Sequence, residues 1–424
     1  MLKTFISILI MVVILFTSFG CSPPVTTNSH NQNNNLASNE TNKQIQFKDL
    51  VTNKNYKVND QIEIGNNTDI VVKQDVWQSP IYWRSNVNIL GADSQGNIIT
   101  FNIENSNVES IDSDQKLSVL INLTEGRPNH VFAIKKFGDI IAWSECPHGN
   151  VDPASDTTRG ANWGLYYTDL KTKKISKIDE YKGVTVPEGT QYSYLAPNQV
   201  FIALDHISYI TFDYNPEGKV TSVIKLYTIS TQKLEVLDYL NEDLSKYAFG
   251  YPRVSGDKVV WCKALVNPDG TYNGCSYLYD MKTKTRSKLV TDENIINPII
   301  SRNYIFAQGE PNKTFYDSEV CIYDIDKNQW VYKINNGYSQ YKADHDVDLN
   351  YFDMNGNYLL WKTGVMRALV LFNQKDNKLY NIVSRSENKE ITSPMLLDGG
   401  LLIWFEKPWG AGNTKPVYHY LFLK

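Results

Sequence analysis

GDIIAW (Gly138–Trp143), GDKVVW (Gly256–Trp261), GNYLLW (Gly356–Trp361) and GGLLIW (Gly399–Trp404) are four renderings of one phrase. Each sets a tryptophan five residues after a glycine, across a mostly apolar run. A second phrase recurs between and around them: YYTDLKTKKISKI, LYTISTQKLEVL, LYDMKTKTRSKLV, IYDIDKNQWVYKI and LFNQKDNKLYNIV. Self-similarity at a period of about 40–50 residues marks a radial or solenoid array, because one such unit cannot bury its apolar face alone.

The runs inside each unit are short and rich in Val, Ile, Tyr and Phe, and Gly, Asn and Asp separate them; no amphipathic helix is visible. This is strand patterning with turn punctuation. Four antiparallel strands per unit are expected, with the Trp phrase on the second and the LYD-type phrase on the third. Seven units follow: residues 80–111, 130–178, 191–237, 251–290, 297–334, 351–383 and 393–424. Six units is the alternative, because the first diverges most. Units 1, 3 and 5 place Gly91, Ala203 and Ala307 where the others have Trp. The last unit shows three strands, and QIEIGNNTDIVVK (residues 61–73) is the expected fourth. Closing first onto last removes sheet edges. The expected fold is an all-β propeller of four-stranded blades. A large aromatic at one repeated position, ending the strand where blade faces meet, reads as filling between blades rather than ligand contact.

The GDxVVW-type strand and the YDxxT-type turn (Tyr279, Asp280, Thr283) resemble those of bacterial extracytoplasmic propellers of the Tol-associated type, and more loosely WD-repeat-like propellers. The resemblance covers residues 61–424 and implies architecture. It implies no activity, since propellers host binding proteins, hydrolases and lyases alike.

The N-terminus gives an address. Lys3 precedes a mostly apolar, uncharged run from Phe5 to Phe16, too short for a comfortable span and placed as a secretory signal is. Gly20-Cys21 resembles a bacterial lipobox, although Ser18 and Phe19 stand where that pattern has Leu and a small residue. Residues 1–20 are thus expected to be a lipoprotein signal, and Cys21 the acylated residue. Residues 21–45, Asn/Ser/Thr-rich, are expected to form a disordered tether to the propeller of residues 46–424. The protein is then anchored to the cell membrane from outside the cytoplasm. With net charge −4 and no basic run, nucleic acid is a poor partner.

The long B–C connections (second to third strand) are read as SECPHGNVDPASDTTRGANWG (144–164), DHISYITFDYNPEGK (205–219), KALVNPDGTYNG (263–274), QGEPNKTFYDS (308–318) and FEKPWGAGNTK (405–415). Long loops on one face of a rigid scaffold are where binding residues concentrate. Glu145, His148, Trp163, Asp205, His206, Tyr272, Glu310, Tyr316, Asp317, Glu406 and Trp409 are the expected ligand-binding set. The alternating acids Asp344, Asp346 and Asp348 lack the Gly and Glu that a calcium loop requires, and no His spacing suits zinc, so no metal or cofactor is expected. No nucleophile elbow, P-loop or dinucleotide fingerprint occurs. Cys262 and Cys275 fall on neighbouring strands; a disulfide between them and two buried free thiols are equally weighted readings. The expectation is a lipid-anchored monomer binding an envelope protein, peptide or glycan without catalysis. The alternatives are a glycan-active hydrolase or lyase on the long-loop face, and an envelope scaffold.

Overall fold

The computed structural model describes residues 46–51, 57–58, 63–64, 87–114, 116–147, 162–190, 195–266, 272–290, 295–309, 319–335, 350–363, 368–375, 378–383, 389–408 and 417–423. Among these there is no helix, and the strands form seven small antiparallel sheets, the blades of a seven-bladed β-propeller. Blade 1 runs Val87–Ala92, Ile98–Asn102, Asn107–Ile111 and Leu117–Asn122. Blade 2 runs Asn129–Phe137, Ile140–Pro147, Gly164–Asp169 and Ile175–Glu180. Blade 3 runs Val200–Ala203, His206–Tyr214, Val220–Thr228 and Lys233–Tyr239. In blade 4 the innermost strand is broken into Tyr247–Phe249 and Arg253–Ser255, before Lys258–Val266, Tyr272–Asp280 and Thr285–Val290. Blade 5 comprises Ile295–Ser301, Tyr304–Gly309, Glu319–Asp324 and Gln329–Asn335. Blade 6 comprises Asn350–Asn355, Tyr358–Thr363, Ala368–Asn373 and Lys378–Val383. Blade 7 has three strands, Lys389–Leu397, Leu401–Pro408 and Val417–Phe422.

The repeated phrase sets the joint between blades. In blades 2 to 7 the residue five before the slot is left-handed, with φ between 51 and 75°: Gly138, Leu204, Gly256, Arg302, Gly356 and Gly399. That conformation makes the tight turn into the second strand, and four of the six are glycine because a side chain there costs about 1–2 kcal/mol. The slot residue then packs on the preceding blade. Trp143 lies with Leu90 and Phe101 of blade 1, Tyr209 with Leu165 of blade 2, and Trp261 with Ile224 and Leu226 of blade 3. Trp361 meets Phe306 and Ile322 of blade 5, and Trp404 meets Leu369 and Leu371 of blade 6. Blade 5 has only Ala307 in the slot, and Tyr323 fills the same apolar cluster. The interior is thus distributed over the joints rather than gathered at one centre.

Two blades correct the sequence assignment. In blade 1 NVNILGAD is the innermost strand, not the second, so Gly91 is not the slot; the aromatic is Phe101, and it packs toward blade 2. In blade 3 Val200–Ala203 is the innermost strand and the slot is Tyr209, not Ala203. A slot identified by tryptophan alone misses a blade that uses another ring.

Ring closure is also different. The described part of residues 61–73, Glu63–Ile64, pairs in parallel with the outermost strand of blade 6, not with blade 7. Gln46–Val51 and Lys57–Val58 pair likewise with the outermost strands of blades 4 and 5, so the segment before blade 1 covers three successive outer edges. Blades 1 and 7 meet through their inner strands. Gly91 bridges Asp398, Ala92 donates its N–H to the Asp398 carbonyl at 3.0 Å, and Ala92 and Ile98 pack on Leu397, Leu401 and Ile403. A side chain at Gly91 would put its Cβ 2.8 Å from that carbonyl, so only glycine permits the approach.

The Cys262–Cys275 disulfide is not formed. Cys262 pairs with Ser276, and Cys275 with Lys263, a one-residue offset that turns the two side chains to opposite sheet faces. Burial pushes the Cys262 thiol up to about 11.

Trp261 is fully buried, so Trp261→Ala is expected to cost about 3–5 kcal/mol in denaturant unfolding. A cost under about 1 kcal/mol would mean that the joint between blades 3 and 4 does not rest on this ring.

Candidate functional site

The slot rings carry polar edges that burial obliges the fold to satisfy. The Trp143 indole donates to Glu145 Oε2 at 3.3 Å, and the Trp404 indole to Glu406 Oε1 at 3.2 Å. Both acids lie two residues beyond their tryptophan. Blade 4 has Lys263 at that place, and its acceptor comes from the blade before: Trp261 donates to Asp238 Oδ2 at 3.1 Å. Tyr209 does the same with Asp179 Oδ2 of blade 2 at 2.8 Å. Three of the four tryptophans also stack on their cross-strand partners: Trp143 on Tyr166, Trp261 on Tyr277, and Trp404 on His419, at 5.8, 5.7 and 5.3 Å between centroids.

These bonds dismantle much of the expected binding set. Glu145 is 1 % exposed and holds Arg127 (Nε–Oε1 3.0 Å), Asn129 and Trp143. Glu406 faces His419 Nε2 at 3.6 Å in addition to Trp404. Trp163 is buried in the core between blades 2 and 3. Asp205 and His206 are not on a B–C connection at all. Asp205 sits in the turn between the two inner strands of blade 3, where its carboxylate accepts from the Ser230 N–H at 2.8 Å, and His206 opens the second strand. That puts both on the opposite face of the disc. Burial holds the His206 imidazole below its usual pKa, and Thr228 Oγ1 is 3.2 Å from its Nδ1. Residues 263–266 and 272–274 also prove to be strand, with Tyr272 opening the third strand of blade 4. His148, Glu310, Tyr316, Asp317 and Trp409 lie outside the described residues, as do Cys21 and the acids Asp344 to Asp348. Among the described residues, no cluster of His, Cys, Asp or Glu could hold a metal ion.

What the structure does bring together is the axis. The innermost strands of all seven blades enclose a cavity of about 150 Å³. Register places one residue of blades 2 to 6 at an equivalent point, opposite the residue just before the slot: Lys135 (opposite Ala142), Phe201 (Ser208), Arg253 (Val260), Ile299 (Phe306) and Asp353 (Leu360). All five line the cavity. Two further charges there neutralise each other: Lys136 Nζ lies 2.6 Å from Asp398 Oδ2 and 2.9 Å from the Ala92 carbonyl. The remaining three, Lys135, Arg253 and Asp353, make no ion pair within bonding distance among the described residues. Arg253 lies over the Phe201 ring, 3.8 Å from its centroid, a cation–π contact.

Lys135 is exposed to the solvent of the cavity, with the inner strands crowded around it. That desolvation pushes its pKa below the ordinary lysine value; the negative charge of Asp353 opposes the shift and the positive charge of Arg253 adds to it. Arg253 is depressed for the same first reason, again with Asp353 opposing. The channel therefore holds two cations against one carboxylate, inside a chain whose net charge is −4. A narrow low-dielectric wall concentrates such a field.

No protein-family model matches the chain, and no curated protein matches it. Solved structures share its outline. Porphyromonas gingivalis dipeptidyl peptidase 4 does so with TM-score 0.47 and 9% identity over 80% of this chain and 52% of that one. Pyrococcus horikoshii acylaminoacyl peptidase gives 0.46 and 14% over 80% and 49%. The β-propeller domain of the Trilobed protease from Pyrococcus furiosus gives 0.43 and 12% over 79% and 91%. The chain spans about half the length of the first two. At these scores and identities the likeness says nothing about activity.

Lys135→Met tests the electrostatics. A lysine whose folded pKa lies below its unfolded value opposes folding fully below the folded pKa, and the penalty is relieved as pH rises toward the ordinary 10.5. The variant is expected to be more stable than wild type at pH 7, with the difference shrinking toward pH 10.5 in denaturant titrations. A variant less stable at pH 7 would contradict this reading of Lys135.

Proposed function

We propose that this chain is a lipid-anchored, extracytoplasmic propeller that binds a ligand of the cell envelope and performs no chemistry on it. The observation that carries the reading is the axial ring of Lys135, Arg253 and Asp353. These charges line one cavity and make no ion pair within bonding distance among the described residues, at a level where blades 3 and 5 carry the apolar Phe201 and Ile299 instead. Among the described residues, three of the acids that a paired-carboxylate hydrolase would draw on are otherwise employed. Glu145 and Glu406 hold buried rings, and Asp205 holds a turn. The apolar run before Cys21 and the Asn/Ser/Thr-rich sequence after it support the anchor. The resemblance to Tol-associated propellers fits the same compartment.

Exposure of the immobilised propeller to an envelope extract, with mass measurement of both the retained and the released molecules, tests the binding reading. The account expects an unaltered peptide, glycan or other metabolite to be retained. Conversion of an extract component into product by the purified protein would overturn the non-catalytic claim. For the anchor, Cys21→Ser is expected to abolish labelling by a palmitate analogue and to release the protein or leave an uncleaved precursor. Unchanged labelling and membrane retention in that variant would remove the lipoprotein claim.

A further inference from the structure

We infer that the axial channel is a carboxylate-binding site, in which Lys135 and Arg253 take an acidic group whose apolar body lies against Phe201, Ile299 and Met354. The inference rests on the binding reading above and names the ligand chemistry.

Four observations on the inner strands carry it. First, the site is built: five register-equivalent positions from five blades line one cavity, the cations coming from blades 2 and 4 and the acid from blade 6. Second, the sign is set. With Lys136 and Asp398 paired at 2.6 Å, what is left is one net positive charge, which an anion neutralises. Third, the donors suit a planar anion. Arg253 presents a flat guanidinium fixed over the Phe201 ring at 3.8 Å, and Lys135 adds an ammonium with three donors. Fourth, the rest of the lining is mixed. Phe201, Ile299, Met354, Leu396 and Leu90 give an apolar wall, while Ser255, Ser301 and Asn355 add short polar groups. Sites for small ligands combine such walls with a few placed charges. Asp353 then acts as a selector. It repels a second anionic group brought near blade 6 and favours a ligand that carries a donor there.

The carboxylate has two sources, a free small acid or an acidic side chain of a peptide, and two probes separate them. Calorimetric titration of the mature protein with succinate and with acetyl-triglutamyl amide is expected to show binding by at least one. Binding by succinate alone assigns a free acid; binding by the peptide alone, or more tightly by it, assigns a peptide side chain. Lys135→Met and Arg253→Met should each weaken that binding more than tenfold, as loss of a charge-assisted hydrogen bond does. Lys135→Arg should retain most of it, which separates loss of charge from loss of fold. Lys174→Met, at an exposed lysine in the turn between the outer strands of blade 2, should change nothing. Asp353→Asn should tighten it. No binding of either probe by the folded wild-type protein, or equal affinity in wild type and both methionine variants, overturns the inference. If an envelope ligand is nonetheless retained by the methionine variants, the carboxylate site fails while the binding reading stands.

Discussion

A flat ring buried at one repeated position, with a carboxylate against its polar edge in blades 2, 3, 4 and 7, is the constraint on which much of this disc depends. The ring belongs to the second strand of one blade and fills the space against the blade before. Its N–H or O–H cannot be buried bare, so an acid must follow it inside. The fold supplies that acid in two ways. In blades 2 and 7 it stands two residues along the same strand, as Glu145 and Glu406. In blades 3 and 4 it is on the outermost strand of the preceding blade, as Asp179 and Asp238. The second arrangement ties two blades together by a bond as well as by packing. Each buried carboxylate then needs its own cation. Lys225 lies 2.8 Å from Asp179 and 2.6 Å from Asp213, and Arg286 pairs with Asp238. For Asp213, burial works against ionisation, but the Lys225 bond and charge prevail and hold its carboxyl below the usual range. At Asp238 burial wins, and the carboxyl stays above its usual value in spite of Arg286 and Trp261.

The same constraint explains why charges on the axis stand out. Between blades, every buried charge described has a partner, because an unpaired one is costly. In the channel, Lys135 and Arg253 have only the distant carboxylate of Asp353 and, for Arg253, an aromatic face. Neighbouring positions at that level are Phe201 and Ile299, so apolar residues fit there without difficulty. The inner strands thus carry charge where the architecture does not call for it.

Much of the architecture was legible from the repeat. The left-handed glycine, the ring five residues on and the polar turns gave the period, the strand order within a blade and six of the seven blade positions closely. Blade 1 slipped by one strand because its second strand carries no Trp and its ring, Phe101, packs toward blade 2 and not on the blade before, and blade 3 lost its slot because Leu204 and Tyr209 stand where Gly and Trp were sought. The N-terminal segment was misplaced because a two-residue parallel pairing such as Glu63–Ile64 leaves no periodic trace. The site was read from loop length and side-chain type, which pointed to Glu145 and Glu406; their W-x-E spacing was the signal that they serve the ring instead. The channel residues were legible in principle. Lys135, Arg253 and Asp353 each lie eight residues before a slot, in strands that alternate toward the core. With the units aligned on the slot, the charge falls at one inner position of blades 2, 4 and 6.

The account stands or falls on those cations being free to accept an anion. Anomalous diffraction from a crystal of the mature protein soaked in bromide shows this directly. The account predicts a bromide peak inside the axial cavity, in contact with the Lys135 ammonium and the Arg253 guanidinium. A cavity without such a peak, with Lys135 and Arg253 both drawn into direct ion pairs with Asp353, would contradict it.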